Sequence, residues 1–293
     1  MEFFDNHAHY NDEKFCEDRD EIIKNIYESG VTKFICAGYS LESSRKAVEI
    51  AGKYTYIYTI VGISPNDIPG DVYDENLAGK TEEERQKLFT SSLKTVDNQL
   101  EEIEKLAINK KNVAIGEIGL DYYWNKENKE LQKQVFIKQI ELANKLNLPI
   151  VIHTRDAVMD TLDILKNIRP TIKPGVFHCC PLNVELVKEA LKLGFYISFA
   201  GPVTFKNSKN AREVVQIVPL DKMLIETDSP YLAPEPVRGT RNDSRNVRYI
   251  AEKIAEFKEV SVESIAEQTY RNAEEAFFKK LWIYWNYLIN IVK

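Results

Sequence analysis

Short apolar runs alternate with amphipathic stretches along the whole chain. Runs at 3–9, 33–37, 57–62, 113–117, 149–153, 175–178, 195–199 and 222–227 are rich in Val, Ile, Leu and Phe and predict strands. Between them, apolar residues recur three or four apart, as in Ile22, Ile23, Ile26 and Tyr27, then Val135, Ile140, Ala143 and Leu146, then Val184, Val187 and Leu191. That spacing lines one face of a helix. Alternating strands and helices predict βαβ units around a parallel sheet. Eight such strands predict a TIM (β/α)8-type barrel over 1–278, whose closure brings the first and eighth strands together. An open doubly wound sheet would leave them apart.

Two segments depart from the repeat. Residues 71–111 form a lengthened polar connection. Thr81-Glu82-Glu83-Glu84-Arg85 begins a helix there, and Leu93, Val96, Leu100, Ile103, Leu106 and Ala107 continue it. Further helical patterns follow at about 244–257 and 261–280. The last residues, 279–293, form an aromatic extension with Trp282, Tyr284, Trp285 and Tyr287. Its apolar stretch of 12 residues, Leu281 to Val292, is short of the roughly 18 needed to span a bilayer. It also lacks the basic face of an interfacial helix. It is expected to cover the barrel or form a dimer contact, in a monomer or small homo-oligomer.

With 293 residues, 44% hydrophobic and 29% charged, the chain has the balance of a globular protein with a large core. The net charge of −6 argues against a protein that coats nucleic acid. It leaves room for an enzyme that meets a phosphodiester through metal ions and a few local cations. Cys16, Cys36, Cys179 and Cys180 show no C-x-x-C spacing, and the adjacent pair makes a poor disulfide scaffold, so a reduced cytoplasmic protein is expected. Met1-Glu2-Phe3-Phe4-Asp5 runs straight into the first motif, with no secretory leader pattern.

The chemistry lies at the strand ends. All four histidines sit there: His7 and His9 after the first run, His153 after the fifth and His178 after the sixth. Residues i and i+2 of a strand share a face, so His7 and His9 can reach one ion. Glu117 ends the fourth run and Asp228 follows the eighth. Alone, Glu117 could start a helix and Asp228 could hold the Ser229-Pro230 turn; beside four convergent histidines both are candidate ligands. Imidazole with carboxylate suits divalent Zn, Mg, Mn, Co, Ni or Fe. Six ligands exceed the needs of one catalytic zinc, so two divalent ions bridged by Glu117 fit better, such pairs lying about 3.5–4 Å apart. Asp228 is then both a ligand and the acceptor of the water proton. There is no P-loop or G-x-G-x-x-G, and no histidine is left over for a nucleophilic triad.

These residues fall within a series of ordered motifs. They include Asp5-Asn6-His7-Ala8-His9, Gly116-Glu117-Ile118-Gly119-Leu120-Asp121-Tyr122-Tyr123 and Pro149-Ile150-Val151-Ile152-His153-Thr154-Arg155-Asp156-Ala157. Phe177-His178-Cys179, Ser198-Phe199-Ala200-Gly201-Pro202-Val203-Thr204-Phe205-Lys206 and Ile225-Glu226-Thr227-Asp228-Ser229-Pro230 follow, with Arg238-Gly239-Thr240-Arg241-Asn242 and Asn246-Val247 after them. Over about 1–278 the chain resembles the TatD family of metal-dependent deoxyribonucleases, in the amidohydrolase-like barrel superfamily. The resemblance implies metal-dependent hydrolysis of DNA phosphodiesters, often as a 3′-to-5′ exonuclease on single-stranded ends. It carries metal ligation onto His7, His9, Glu117, His153, His178 and Asp228. Two places differ. The family's Gly-x-His-Pro-His is here Gly62-Ile63-Ser64-Pro65-Asn66, so Ser64 stands where a histidine faces substrate phosphate. The family's Phe-His-x-Phe-Ser-Gly is here Phe177-His178-Cys179-Cys180-Pro181-Leu182.

Several cations are placed to meet phosphate. Arg155 lies two residues after His153, Lys206 lies in the strand-seven loop, and Arg238, Arg241 and Arg245 cluster after strand eight. Tyr122, Tyr123 and Trp124 could stack an unpaired base or pack at the rim. Glu226 shares the strand face of Asp228 and is a candidate partner for a ligand histidine or an arginine. Rival functions are a barrel hydrolase for a small phosphoester, amide or lactone, and a metal-retaining binding protein. Superfamily members built on a carbamylated lysine carry it at the end of strand four, where this chain has Glu117.

Overall fold

A computed structural model describes residues 1–168 and 175–278. Eight strands form one parallel sheet in chain order. They are β1 (Phe3–Ala8), β2 (Val31–Ala37), β3 (Ile57–Val61), β4 (Asn112–Asp121), β5 (Ile150–Arg155), β6 (Val176–Phe177), β7 (Tyr196–Phe199) and β8 (Met223–Ile225). The first helices are α1 (Arg19–Glu28), α2 (Leu41–Lys53), the single turn α3 (Asp74–Leu77) and α4 (Glu82–Ala107). After β4 come α5 (Lys129–Leu146), α6 (Val158–Asn167), α7 (Val184–Lys192) and α8 (Ala211–Ile217), and after β8 come α9 (Val247–Lys258) and α10 (Val262–Phe278). This is the expected barrel of parallel strands ringed by helices. The apolar extension at 279–293 lies outside the described residues, of which no helix is long and apolar enough to cross a membrane.

The strand pleat sorts the core into two layers. Ile35, Ala37, Val151, Val176 and Leu224 face the barrel interior, where Phe4 and the α10 residues Ala273 and Phe277 join them. Their neighbours Phe34, Cys36, Ile150, Ile152, Phe177 and Ile225 face outward into the helical ring. Continuing the interior column two residues onward from Val151 reaches His153; from Val176 it reaches His178, and from Leu224 it reaches Glu226. The same columns are therefore apolar at one end of the barrel and ionisable at the other.

The lengthened connection folds as expected into a helix, α4, opened by a capping box between Thr81 and Glu84. A small apolar cluster of Ile63, Ile68, Val72, Val96, Leu131 and Val135 fastens the preceding loop onto α4 and α5. One strand differs from expectation. β4 runs through to Asp121, so Glu117 lies in mid-strand rather than at its end. Gly119 makes this extension possible: its φ is +144°, and a Cβ there would come within 1.9 Å of the His153 carbonyl oxygen.

The ladder runs from β1 to β8 without a rung between β8 and β1. That seam is joined by other bonds. Asp228 N donates to His7 O (2.9 Å), and His9 N donates to Ser229 O (2.6 Å). Thr227 N donates to Asp5 Oδ1 (2.9 Å). The Asn6 amide donates to Ile225 O (2.6 Å) and to Ser198 Oγ (2.8 Å).

Candidate metal centre

The six side chains singled out in the sequence meet at the carboxyl ends of the strands. Glu117 is at their middle. Its Oε2 lies 3.4 Å from His7 Nε2 and 3.7 Å from His9 Nε2. Asp228 Oδ1 joins this side, 3.2 Å from His9 Nε2 and 3.8 Å from His7 Nε2. The other oxygen, Oε1, lies 3.0 Å from His153 Nδ1 and 3.2 Å from His178 Nε2. The two sides touch through the stacked rings of His7 and His178, whose centroids are 4.0 Å apart. Asp228 reaches in from a left-handed backbone at φ +57°, an uncommon conformation for a residue with a Cβ and one that concentrates at functional sites.

The remaining ring nitrogens establish which atoms are free to bind. His9 Nδ1 donates to Ala37 O (3.1 Å). His178 Nδ1 donates to Glu226 Oε1 (3.2 Å), the partner expected from the shared strand face. His153 Nε2 donates to Asp121 Oδ2 (2.9 Å). Glu226 is itself held by Cys179 N at 2.6 Å and Ser198 Oγ at 2.5 Å. Each of these three imidazoles thus turns its other nitrogen toward Glu117. His7 Nδ1 is buried without a hydrogen-bond partner among the described residues.

Electrostatics follow from this crowding. Burial disfavours charge on Glu117, but His178, His153 and His7 together hold its carboxyl well below the usual carboxylate range. Burial likewise opposes charge on Asp228, yet its hydrogen bond to His9 brings the carboxyl down. Against burial, bonds to Asp121 and Glu117 push His153 up to about 9. His178 is also raised, by Glu117 and Glu226 against the effect of burial. His7 goes the other way, lowered by burial and then by the charge of His178.

The donor set fits a divalent metal. His7, Glu117 and His178, and separately His7, His9 and Asp228, each offer ligand atoms within 4.8 Å of one another. His7 Nε2 and His9 Nε2 face each other at 3.3 Å, as do His153 Nδ1 and His178 Nε2. Imidazole nitrogens facing one another beside two carboxylates, once deprotonated, are a donor set for a divalent cation.

The expected substrate contacts lie in different settings. Arg155 is exposed, with its guanidinium 3.7 Å from the centre of the Tyr123 ring. Lys206 is exposed in the loop after β7 and has no ion-pair partner among the described residues. Ser64 is buried and donates to Asp67 Oδ2 at 2.6 Å, so it stands behind the surface. Arg241, expected as a phosphate contact, is instead engaged in a two-pronged pair with Asp18 and donates to Lys14 O. Arg245 is likewise paired with Asp243. Asp121, whose bond to His153 the sequence does not reveal, stands four residues beyond Glu117 on β4.

A parallel eight-stranded barrel with four imidazoles and two carboxylates gathered at its carboxyl mouth defines a TIM-barrel metal-dependent hydrolase. The sequence model of the TatD related DNase family matches residues 4–278, and the chain belongs to that family. It is 41% identical over 274 residues to YabD of Bacillus subtilis, an uncharacterized metal-dependent hydrolase, covering 94% of this chain and 98% of that protein. A metal-dependent hydrolase of Methanocaldococcus jannaschii, also uncharacterized, is 33% identical over 96% of this chain and 99% of its own. Among solved structures, the Escherichia coli TatD homologue YJJV superposes with a TM-score of 0.79 at 24% identity, over 94% of this chain and 97% of its own. An organophosphorus hydrolase from Deinococcus radiodurans shares the fold at a TM-score of 0.61 and 12% identity, over 94% of this chain and 92% of its own.

Proposed function

We propose that this hydrolase cleaves DNA phosphodiester bonds, from single-stranded 3′ ends, using two divalent ions shared across Glu117. The observation that carries the two-ion arrangement is the division of Glu117 itself, with Oε2 facing His7, His9 and Asp228 and Oε1 facing His153 and His178. When bound, such ions polarise the scissile phosphate and acidify a water. The protein's own groups do the rest. Asp228 stays ionised at neutral pH and accepts the water proton through its carboxylate. Glu117 keeps the two sides in register. Arg155, over the ring of Tyr123, and Lys206 meet the flanking phosphates, local cations in a chain of net charge −6. Ser64 orients Asp67 beneath this surface.

The test is an assay on labelled single- and double-stranded DNA, and on a small phosphodiester and a lactone, with Mg, Mn, Zn, Co or Ni and with chelator. Metal-dependent shortening of single strands is expected. The affinity for DNA should fall with salt, with a logarithmic slope of about −0.7 for each neutralised phosphate. Arg155→Gln should flatten that slope by about one contact without changing metal content. Brisk hydrolysis of a small ester with no DNA cleavage under any metal would overturn the proposal.

A further inference from the structure

Asp121 joins the metal centre to a surface the proposed reaction does not yet use. Its Oδ2 accepts from His153 and, at 3.0 Å, from the Asn66 amide. Its Oδ1 accepts from the backbone N–H groups of Tyr123 (2.9 Å) and Trp124 (3.2 Å). Tyr122 turns inward and donates to Asp160, whereas Tyr123 and Trp124 are 49% and 60% exposed. These two rings meet edge to face, with centroids 4.8 Å apart. Trp124 walls a cleft of about 540 Å³ with Asn66, Tyr73, Asp74, Glu75 and Asn125.

The chemistry of that cleft is selective. Asp74 and Glu75 repel a phosphate, while an exposed indole face attracts a flat, weakly polar ring. Arg155, with its guanidinium 3.7 Å from the centre of the Tyr123 ring and 5.6 Å from that of Trp124, offers a cation with no carboxylate partner among the described residues. A nucleotide placed with its base in the cleft would have its phosphate drawn away from Asp74 and Glu75, toward Arg155 and the imidazole cluster.

We propose that the cleft beside Trp124 is a nucleobase subsite, in which an unpaired base stacks on the indole and so positions the neighbouring phosphodiester. This rests on the DNA reading above and names the part of the strand that is recognised. A paired base cannot leave its stack to reach the indole without losing its partner, so Trp124 makes the enzyme selective for single strands.

Trp124→Ala and Trp124→Phe test this with paired oligonucleotides, one normal and one carrying abasic residues at its 3′ end. The wild-type enzyme should prefer the base-bearing strand, and Trp124→Ala should cut that preference in kcat/KM about tenfold, the range expected for one aromatic stack. Trp124→Phe should restore most of it. Titration with deoxyadenosine monophosphate should quench tryptophan fluorescence in the wild-type protein and not in Trp124→Phe, and deoxyribose 5-phosphate should quench neither. An unchanged preference in Trp124→Ala, or no quenching by the nucleotide, overturns the subsite. If the wild-type enzyme cleaves no oligonucleotide, the DNA reading fails by itself, and the fluorescence titration still decides the subsite.

Discussion

On the Oε1 side of Glu117 both imidazoles are backed by carboxylates, His153 by Asp121 and His178 by Glu226. On the Oε2 side His9 leans on a backbone carbonyl, and His7 Nδ1 has no acceptor among the described residues. A carboxylate behind an imidazole fixes the ring and makes its free nitrogen a stronger donor. The sides also differ in scaffold. His153 belongs to the continuous β4–β5–β6 ladder, and His178 directly follows β6. His7, His9 and Asp228 flank the β1/β8 seam, where the ladder has no rung. In the proposed reaction the Oε1 side would hold its ion more firmly, and the Oε2 side, with Asp228 on a left-handed backbone, would supply the proton acceptor.

The largest effect should come from Glu117→Gln, which removes the residue common to both sides. Metal content measured by mass spectrometry should fall on both sides and hydrolysis should drop to background. Retention of a full equivalent of tightly bound metal would show that Glu117 does not bridge. Asp228→Asn should lower kcat by about 10²–10⁴-fold, the usual worth of a general base, with a much smaller change in KM. Equal losses in kcat and metal content would reduce Asp228 to a ligand. Asp121→Asn and Glu226→Gln should each weaken metal binding on the Oε1 side by about 10–100-fold, measured by chelator competition. If they cost no more than mutation of Asn11, which bonds the Ala37 carbonyl behind His9, the contrast between the sides disappears.

Protons should sharpen the contrast at the smallest scale. In the metal-free protein His153 titrates near 9, above the ordinary histidine value of about 6.5. A raised folded-state pKa adds stability that is fully present below pH 6.5 and lost as pH rises through 9. The apo protein should therefore melt at progressively lower temperature across that window, and metal should flatten the dependence. Loading the Oε1 side should also release protons at neutral pH, because His153 and His178 are both raised. On the Oε2 side only His9, raised against burial by Asp228 and then Glu117, should release one, while the lowered His7 should release none, and calorimetry in buffers of different ionisation enthalpy counts the difference.

Period-two alternation is enough to place Glu226 on the strand face of Asp228, and the strand-end positions of His153 and His178 are enough to bring them to one mouth of the barrel. Asp121 escapes notice because the fourth apolar run reads as ending at Glu117. Gly116, Gly119 and an acidic residue resemble a turn, whereas pairing with β5 from Gly119–His153 to Asp121–Arg155, close enough at Gly119 to exclude a Cβ, carries the strand on. Arg241 could not be placed from the sequence either: its partner Asp18 is 223 residues away, and nothing local distinguishes an arginine aimed at phosphate from one aimed at a carboxylate. The same distance effect hid the role of Asn6, whose amide ties β1 to β7 and β8.

The unrunged seam also determines when the enzyme comes into being. His9 and Asp228 meet across 219 residues of chain, among the most non-local contacts in the molecule. During synthesis β1 emerges before the other strands and waits, its imidazoles unpaired with Asp228, until a further 219 residues, about three-quarters of the 293, have followed. Contacts of such separation form late and slowly. A nascent or prematurely released chain ending before β8 thus carries every histidine of the centre yet lacks Asp228, the proposed proton acceptor. Hydrolytic competence arrives only when the two ends of the barrel have found each other.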